Sequence, residues 1–262
     1  SAVPRDKKVL ISNGGKFGER WVKVAKVYGL YVDEVELEWG TALTAETVKQ
    51  KLASDDYGAV VTVHSETSTA TACDLEAIAK VTRDTDALLI VDAITGAGAL
   101  PLRTDEWGVD IVGGGSQKAF MLPPGLSFVS VSEKARKVIE AQVPNSFYLD
   151  LQAYLKSYAK GDTPYTGAVS LVRGAKKAVD MINEIGIETV WARTAILAKA
   201  MRAAAEAMGL KVFSQSPSDS VTGLLYPDGV DDEFRKKLQA RYGAAVAGGQ
   251  AHMKGKLFRI NH

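Results

Sequence analysis

Short, uninterrupted apolar runs that stop abruptly at polar or glycine residues limit what this chain can fold into. Val9-Leu10-Ile11-Ser12 ends in Asn13-Gly14-Gly15, and Ala59 to Val63 stops at His64. Ala87 to Val91 stops at Asp92, and Ile111-Val112 runs into Gly113-Gly114-Gly115. Runs of this length, rich in Val, Ile and Leu, are strands buried on both faces, as in parallel sheets. Between them lie segments of helical spacing. Trp21, Val24, Ala25 and Tyr28 share one face and are closed by Gly29, and Cys73 to Thr82 is a second such stretch. Thr44 is placed to cap a further helix running to about Leu52. Tyr31 to Trp39 and Ser127 to Val131 are predicted as additional strands. The alternation predicts an α/β sheet with helices on both faces.

The pattern changes near Val169. From there to about Met208 the sequence is helical and Ala-rich, with a break at Gly186. Lys211 to Phe213, Val221 to Leu225, Ala245 to Ala247 and Leu257 to Ile260 are predicted strands, with a helix over Asp231 to Tyr242. The expected organisation is a large α/β domain over 1–184 and a smaller α+β domain over 185–262.

Composition narrows the functional classes. The 262 residues carry 32 Lys+Arg and 31 Asp+Glu, so net charge supplies no general attraction to nucleic acid. A single cysteine, Cys73, excludes an intrachain disulfide and a multi-cysteine zinc site. The three histidines argue against a His-built metal centre. Without an apolar signal core or a membrane-length apolar run, the expectation is a soluble cytoplasmic protein with no nucleic-acid or membrane partner.

Three features sit at the ends of predicted strands: His64-Ser65-Glu66-Thr67-Ser68-Thr69, Asp92, and Ser116-Gln117-Lys118. Ligands of open α/β sheets bind at that edge. Alone, Asp92 reads as a turn residue and Lys118 as a solvated loop lysine. Together they suit a specific chemistry. A lysine walled by Phe120, Met121 and Leu122 is expected to be desolvated and to form a Schiff base. A strand-end carboxylate about 25 residues earlier can hold the pyridine nitrogen of pyridoxal phosphate in its protonated state.

At these residues the sequence resembles the class V, fold-type I pyridoxal-phosphate aminotransferases. The nearest branch is the alanine–glyoxylate and serine–glyoxylate (serine–pyruvate) enzymes, a branch that includes proteins labelled as a soluble hydrogenase subunit. The resemblance rests on Val91 to Gly96 and Ser116 to Gly125. It extends through Asn13 to Trp21, His64 to Thr69, Asp105 to Asp110, Ser146 to Asp150, Thr163 to Thr166 and Gly255 to Arg259. It implies pyridoxal 5′-phosphate as cofactor, with Lys118 as the Schiff-base lysine and Asp92 as the pyridine-nitrogen partner. Phe17 and Ile94 would pack the two faces of the ring, Thr67 would lie near the phenolic oxygen, and Gln117 would bind phosphate. Thr166 and Thr163 would reach the phosphate of a partner subunit, which implies a homodimer. Arg259 would clamp the substrate carboxylate. The implied reaction is transamination between a small amino acid, alanine or serine, and a keto acid such as glyoxylate or pyruvate.

The chain also departs from the family pattern. It starts just before the strand that follows the family's phosphate-binding turn and stops three residues after Arg259, and Ala251 and Asn261 replace usual glycines. The expectation is a large domain lacking its first turn and an incomplete small domain, truncated at both ends. Two other functions compete. A cysteine desulfurase would need a mobile nucleophilic cysteine, whereas Cys73 falls in a predicted helix. An inactive or partner-dependent fragment would bind without catalysis. The glycine-rich stretches at Gly113 and Gly249 lack the spacing of a nucleotide-binding loop.

Overall fold

The computed structural model describes residues 2–262. The first half runs β1 (Lys8–Asn13), α1 (Lys16–Val27), β2 (Tyr31–Glu36), α2 (Ala45–Ser54), β3 (Tyr57–Val63), β4 (Ser65–Glu66), β5 (Thr71–Ala72) and α3 (Leu75–Thr82). It continues through β6 (Leu88–Asp92), α4 (Thr104–Trp107), β7 (Ile111–Gly115), β8 (Ser127–Val131), α5 (Glu133–Ala141) and α6 (Leu151–Tyr158). The remainder holds α7 (Val169–Ile185), α8 (Ile187–Ala207), β9 (Val221–Leu225), α9 (Glu233–Tyr242), β10 (Ala247–Gly248) and β11 (Leu257–Asn261). Among the described residues no helix is long and apolar enough to cross a membrane.

The main sheet has six strands in the order β2-β1-β3-β6-β7-β8. All neighbours are parallel except β8, which runs antiparallel to β7. Alternation along β1 explains its two packed faces. Val9 and Ile11 point to one side, with Val22 and Ala25 of α1, Val61 and Ile139. Leu10 points to the other, with Val48, Val60, Ile78 and Leu89. Each such side chain, fully withdrawn from water, contributes about 1.5–3 kcal/mol. A second, three-stranded sheet, β10-β11-β9, is antiparallel and packs Leu224 and Phe258 against Ala205 of α8.

Most predicted elements form where the sequence places them. Thr44 caps α2, its hydroxyl accepting from Thr47 N–H at 3.2 Å. Gly186 separates α7 from α8 with φ +87°, a conformation suited to glycine. The differences are local. The strand expected to reach Trp39 ends at Glu36. Cys73 lies outside α3, which begins only after Asp74 caps it through Ala77 N–H. Lys211 to Phe213 forms a single bridge, Val212 to Leu224, and not a strand.

Candidate active site

Because β1, β3, β6 and β7 are parallel, their carboxyl ends open on one edge of the sheet. Four connections meet there: 14–15 into α1, the 64–72 hairpin, 93–98, and 116–126. Asp92 is the last residue of β6 and is buried. One carboxylate oxygen accepts from Trp21 Nε1–H at 2.8 Å and the other from Ile94 N–H at 3.0 Å. The second bond turns the chain over the strand end. The first brings in α1, where Trp21 lies one turn after Phe17. A carboxylate has about four lone-pair sites, so these two donors leave it able to accept more.

The lysine loop starts from β7, whose Gly113 pairs with Asp92. A Cβ on Gly115 would sit 3.0 Å from Gln117 Oε1 and 3.5 Å from Ile94 Cγ2, so Ile94 and Gln117 flank the same strand end. Ser116 is fully buried and closes the loop. Its hydroxyl donates to the Pro123 carbonyl at 2.7 Å and accepts from Leu126 N–H at 3.2 Å. Lys118 follows in an exposed turn, and among the described residues its amine makes no hydrogen bond or ion pair. The expected apolar wall around it does not form within one chain. Met121 turns outward, 74% exposed and with φ +55°, while Phe120 packs edge-on against Phe128.

Thr67 is buried, and its carbonyl accepts from Arg259 Nη1–H at 2.7 Å. The Gly248 carbonyl accepts from Arg259 Nε–H at 3.1 Å and Nη2–H at 2.9 Å. Three of the five guanidinium N–H groups are therefore spent on backbone, and two remain. Burial pushes this guanidinium below its ordinary value, and Glu66 nearby opposes that shift.

Three residues given no role by sequence reasoning take part. Trp21 bonds Asp92, and in the sequence it stands out only as a member of an apolar helix face and of the Asn13 to Trp21 stretch. Glu66 is buried, and one of its oxygens accepts from Phe17 N–H at 2.9 Å and Gly18 N–H at 3.0 Å. His64 is buried behind Asp92 and donates its backbone N–H to the Asp92 carbonyl at 2.9 Å. Its Nδ1 has no hydrogen-bond partner among the described residues, and a Cβ on Gly96 would lie 2.5 Å from it. Burial pushes the imidazole down to about 4, so it is neutral at neutral pH.

Phe17, Thr67, Asp92, Ile94, Gln117 and Arg259 are thus linked by contacts around one sheet edge, with Lys118 on the adjoining turn. Thr163 and Thr166 are not part of that set. Both are exposed, Thr163 donates its hydroxyl to the Tyr165 carbonyl at 2.7 Å, and no hydrogen bond among the described residues ties either to the edge. The single cysteine, Cys73, is poorly set up as a nucleophile. Burial pushes the Cys73 thiol up to about 11, against which only Thr62 and a backbone group act.

Comparison with known proteins agrees with this architecture. The family model described as aminotransferase class-V matches residues 1–259. A soluble hydrogenase small subunit from Synechococcus is 42% identical over 97% of this chain and 68% of its own length. A serine–glyoxylate aminotransferase from Methylorubrum extorquens is 37% identical over all of this chain and 69% of its own. The crystal structure of pyridoxamine–pyruvate aminotransferase from Mesorhizobium loti superposes with a TM-score of 0.94, at 32% identity, over 100% of this chain and 69% of that one. The parallel sheet, the strand-end edge and these matches together make the chain a member of the class-V aminotransferase family, transaminases of fold-type I.

Proposed function

We propose that this edge binds pyridoxal 5′-phosphate and that the chain transfers an amino group from alanine or serine to a keto acid such as glyoxylate or pyruvate. What supports the reading is the buried carboxylate of Asp92 at the end of β6, the arginine of β11 braced on the Thr67 carbonyl of the loop after β3, and a lysine on the turn after β7 whose amine makes no hydrogen bond or ion pair among the described residues. The donor set fits the cofactor. Asp92 keeps acceptor capacity after its two internal bonds, and Gly115 leaves open the space beside Ile94 and Gln117 that a Cβ would fill. Phe17 and Ile94 supply apolar faces, and Gln117 and Thr67 supply polar groups. Bound there, pyridoxal 5′-phosphate supplies an aldehyde for amine exchange and a ring that delocalises the electron pair left when the α-proton departs.

The chain's own residues do the rest. Lys118 Nζ would be the amine that holds the aldehyde. When its amine is free, Lys118 would be the base that takes the proton from the substrate α-carbon and, as the ammonium, gives it back in the reverse transfer to the keto acid. Asp92, oriented by Trp21 N–H and Ile94 N–H, would be the acceptor for the ring nitrogen's proton. Arg259 takes the substrate carboxylate with its two remaining N–H groups in a bidentate pair. One amino acid and one keto acid enter, and one of each leaves, so no oxidant is needed.

A second copy of the chain completes the site in this reading. Thr163 and Thr166 reach the phosphate of the partner. The segment bearing them is flanked by exposed apolar side chains, Val143, Phe147, Leu149 and Tyr158, which a dimer interface would cover. The division into 1–184 and 185–262 belongs to the same proposal and follows the helix break at Gly186.

The test is reductive labelling. Pyridoxal 5′-phosphate is added, visible absorbance is recorded, borohydride is applied, and the modified peptide is identified by mass spectrometry. The expected label is on Lys118, and Lys118→Ala should lose both the label and amino-group transfer while keeping its circular dichroism. Labelling elsewhere with full turnover in Lys118→Ala would overturn the assignment.

A further inference from the structure

Glu66 carries a buried carboxylate with no lysine or arginine of the described residues within ion-pair distance. A carboxylate in that setting needs N–H and O–H donors to replace lost water. It finds them at the start of α1 and in its own loop. One oxygen accepts from Phe17 N–H and Gly18 N–H, and the other from Ser68 N–H at 3.1 Å and from the Ser68 hydroxyl. Ser68 Oγ in turn accepts from Lys16 N–H at 2.9 Å. The first three N–H groups of α1 are therefore satisfied by the 64–69 loop, while the residue before the helix, Gly15, offers no side-chain cap. The approach is so close that a Cβ on Gly15 would lie 2.4 Å from Ser68 Oγ and 2.5 Å from Glu66 Cδ.

The residue after Glu66 is Thr67, whose carbonyl holds Arg259. One peptide unit separates the clamp on α1 from the brace on the arginine. The loop is also tied to the small sheet. Ser65 Oγ lies 2.8 Å from Ser218 Oγ and 3.0 Å from Ser220 Oγ, and Ser218 N–H donates to the Ala70 carbonyl at 2.9 Å. That segment leads directly into β9, which pairs with β11 and so with Arg259 itself. The negative charge of Glu66 also offsets part of the cost of half-burying the Arg259 cation.

We infer that Glu66 is a positioning residue for carboxylate recognition: by anchoring the 64–69 loop to the first turn of α1, it fixes the Thr67 carbonyl and hence the direction of the free N–H groups of Arg259. It does not touch the substrate. The inference rests on the reading of Arg259 as the carboxylate clamp, and the experiment separates the two.

The probe is propionate, an unreactive carboxylate of alanine's length, titrated into the chain and followed by the NMR signal of the Arg259 Nε–H. Glu66→Gln keeps the shape and one acceptor oxygen but removes the charge. It should weaken propionate binding about tenfold and speed exchange of the Phe17 and Gly18 amides by a similar factor. With cofactor loaded, KM for the amino donor should rise about tenfold while kcat changes less than about twofold, which a general loss of stability would not produce. Arg259→Ala should abolish propionate binding. If it does not, the clamp reading fails and this inference with it. If Arg259→Ala loses the probe while Glu66→Gln keeps wild-type affinity, the clamp stands and the role of Glu66 is refuted. Should Glu66→Gln not fold, the unaltered chain decides. Coupling is reciprocal, so saturating propionate must slow exchange of the Phe17 and Gly18 amides, and unchanged exchange overturns the inference.

Discussion

Acidification should destabilise the fold through one buried histidine. Folded His64 is pushed down to about 4 by burial, whereas in the unfolded chain it titrates near 6.5. Between those values the unfolded chain binds a proton and the folded chain does not, so stability falls as pH falls across that window. The linkage relation with these two values gives a loss of about 2 kcal/mol between pH 7 and pH 5, with most of it below pH 6.5. The test is urea unfolding at pH 7, 6 and 5 for the chain and for His64→Asn. Asparagine is smaller and does not titrate. The variant should be weaker at pH 7 through lost packing, yet its loss on going to pH 5 should be smaller by about 2 kcal/mol. Carboxylates and the other histidines contribute equally to both proteins and cancel in the difference. Equal pH dependence in the two would refute the claim that His64 is held neutral.

Three further expectations concern the same edge. Gly18→Ala places a Cβ 2.5 Å from the Ser12 carbonyl oxygen and 2.9 Å from Asn13 Cα, both backbone, so α1 must move. The cost should be about 1–3 kcal/mol in chemical denaturation, and a neutral or stabilising result contradicts that geometry. Cys73 should react slowly with a disulfide reagent at pH 8 in the folded chain and rapidly in urea, because its thiol is pushed up to about 11. Rapid stoichiometric labelling of the native chain would show the thiol to be open. Ser116→Ala removes the two side-chain bonds that help close the lysine loop and leaves the backbone bonds of Ser116 with Leu126 and Leu122, so limited trypsin digestion should cut after Lys118 several-fold faster, and an unchanged cleavage rate would mean the backbone bonds suffice to hold the loop.

The readable parts of this fold are those fixed by local chemistry. Ala59 to Val63 and Ala87 to Val91 announce themselves as buried strands because every residue faces a packed layer. Asp92 and Lys118 stand out for the converse reason, as polar groups placed where such strands end. What stays hidden depends on pairing between distant segments. The β4–β5 hairpin has only two residues on each side, and its loop's position depends on Glu66 reaching α1 and Ser65 reaching Ser218. The α5 and α6 helices are short, and nothing in their own sequences says that Gln152 will cap the end of α5 by donating to the Ile139 and Gln142 carbonyls. The apolar wall expected around Lys118 fails for a local reason. Met121 takes a left-handed backbone conformation that turns its side chain away, a feature that residue type alone does not signal.

Among the described residues, Arg259 gives its hydrogen bonds to the carbonyls of Thr67 and Gly248 and to no side chain. A carbonyl is the one acceptor that no point mutation deletes. Drift at either position can change the letter without removing the grip, provided the backbone keeps its path. Selection on this hold therefore falls on the residues that shape the path, and two chains could share the same hold on a carboxylate while differing at both positions that make it.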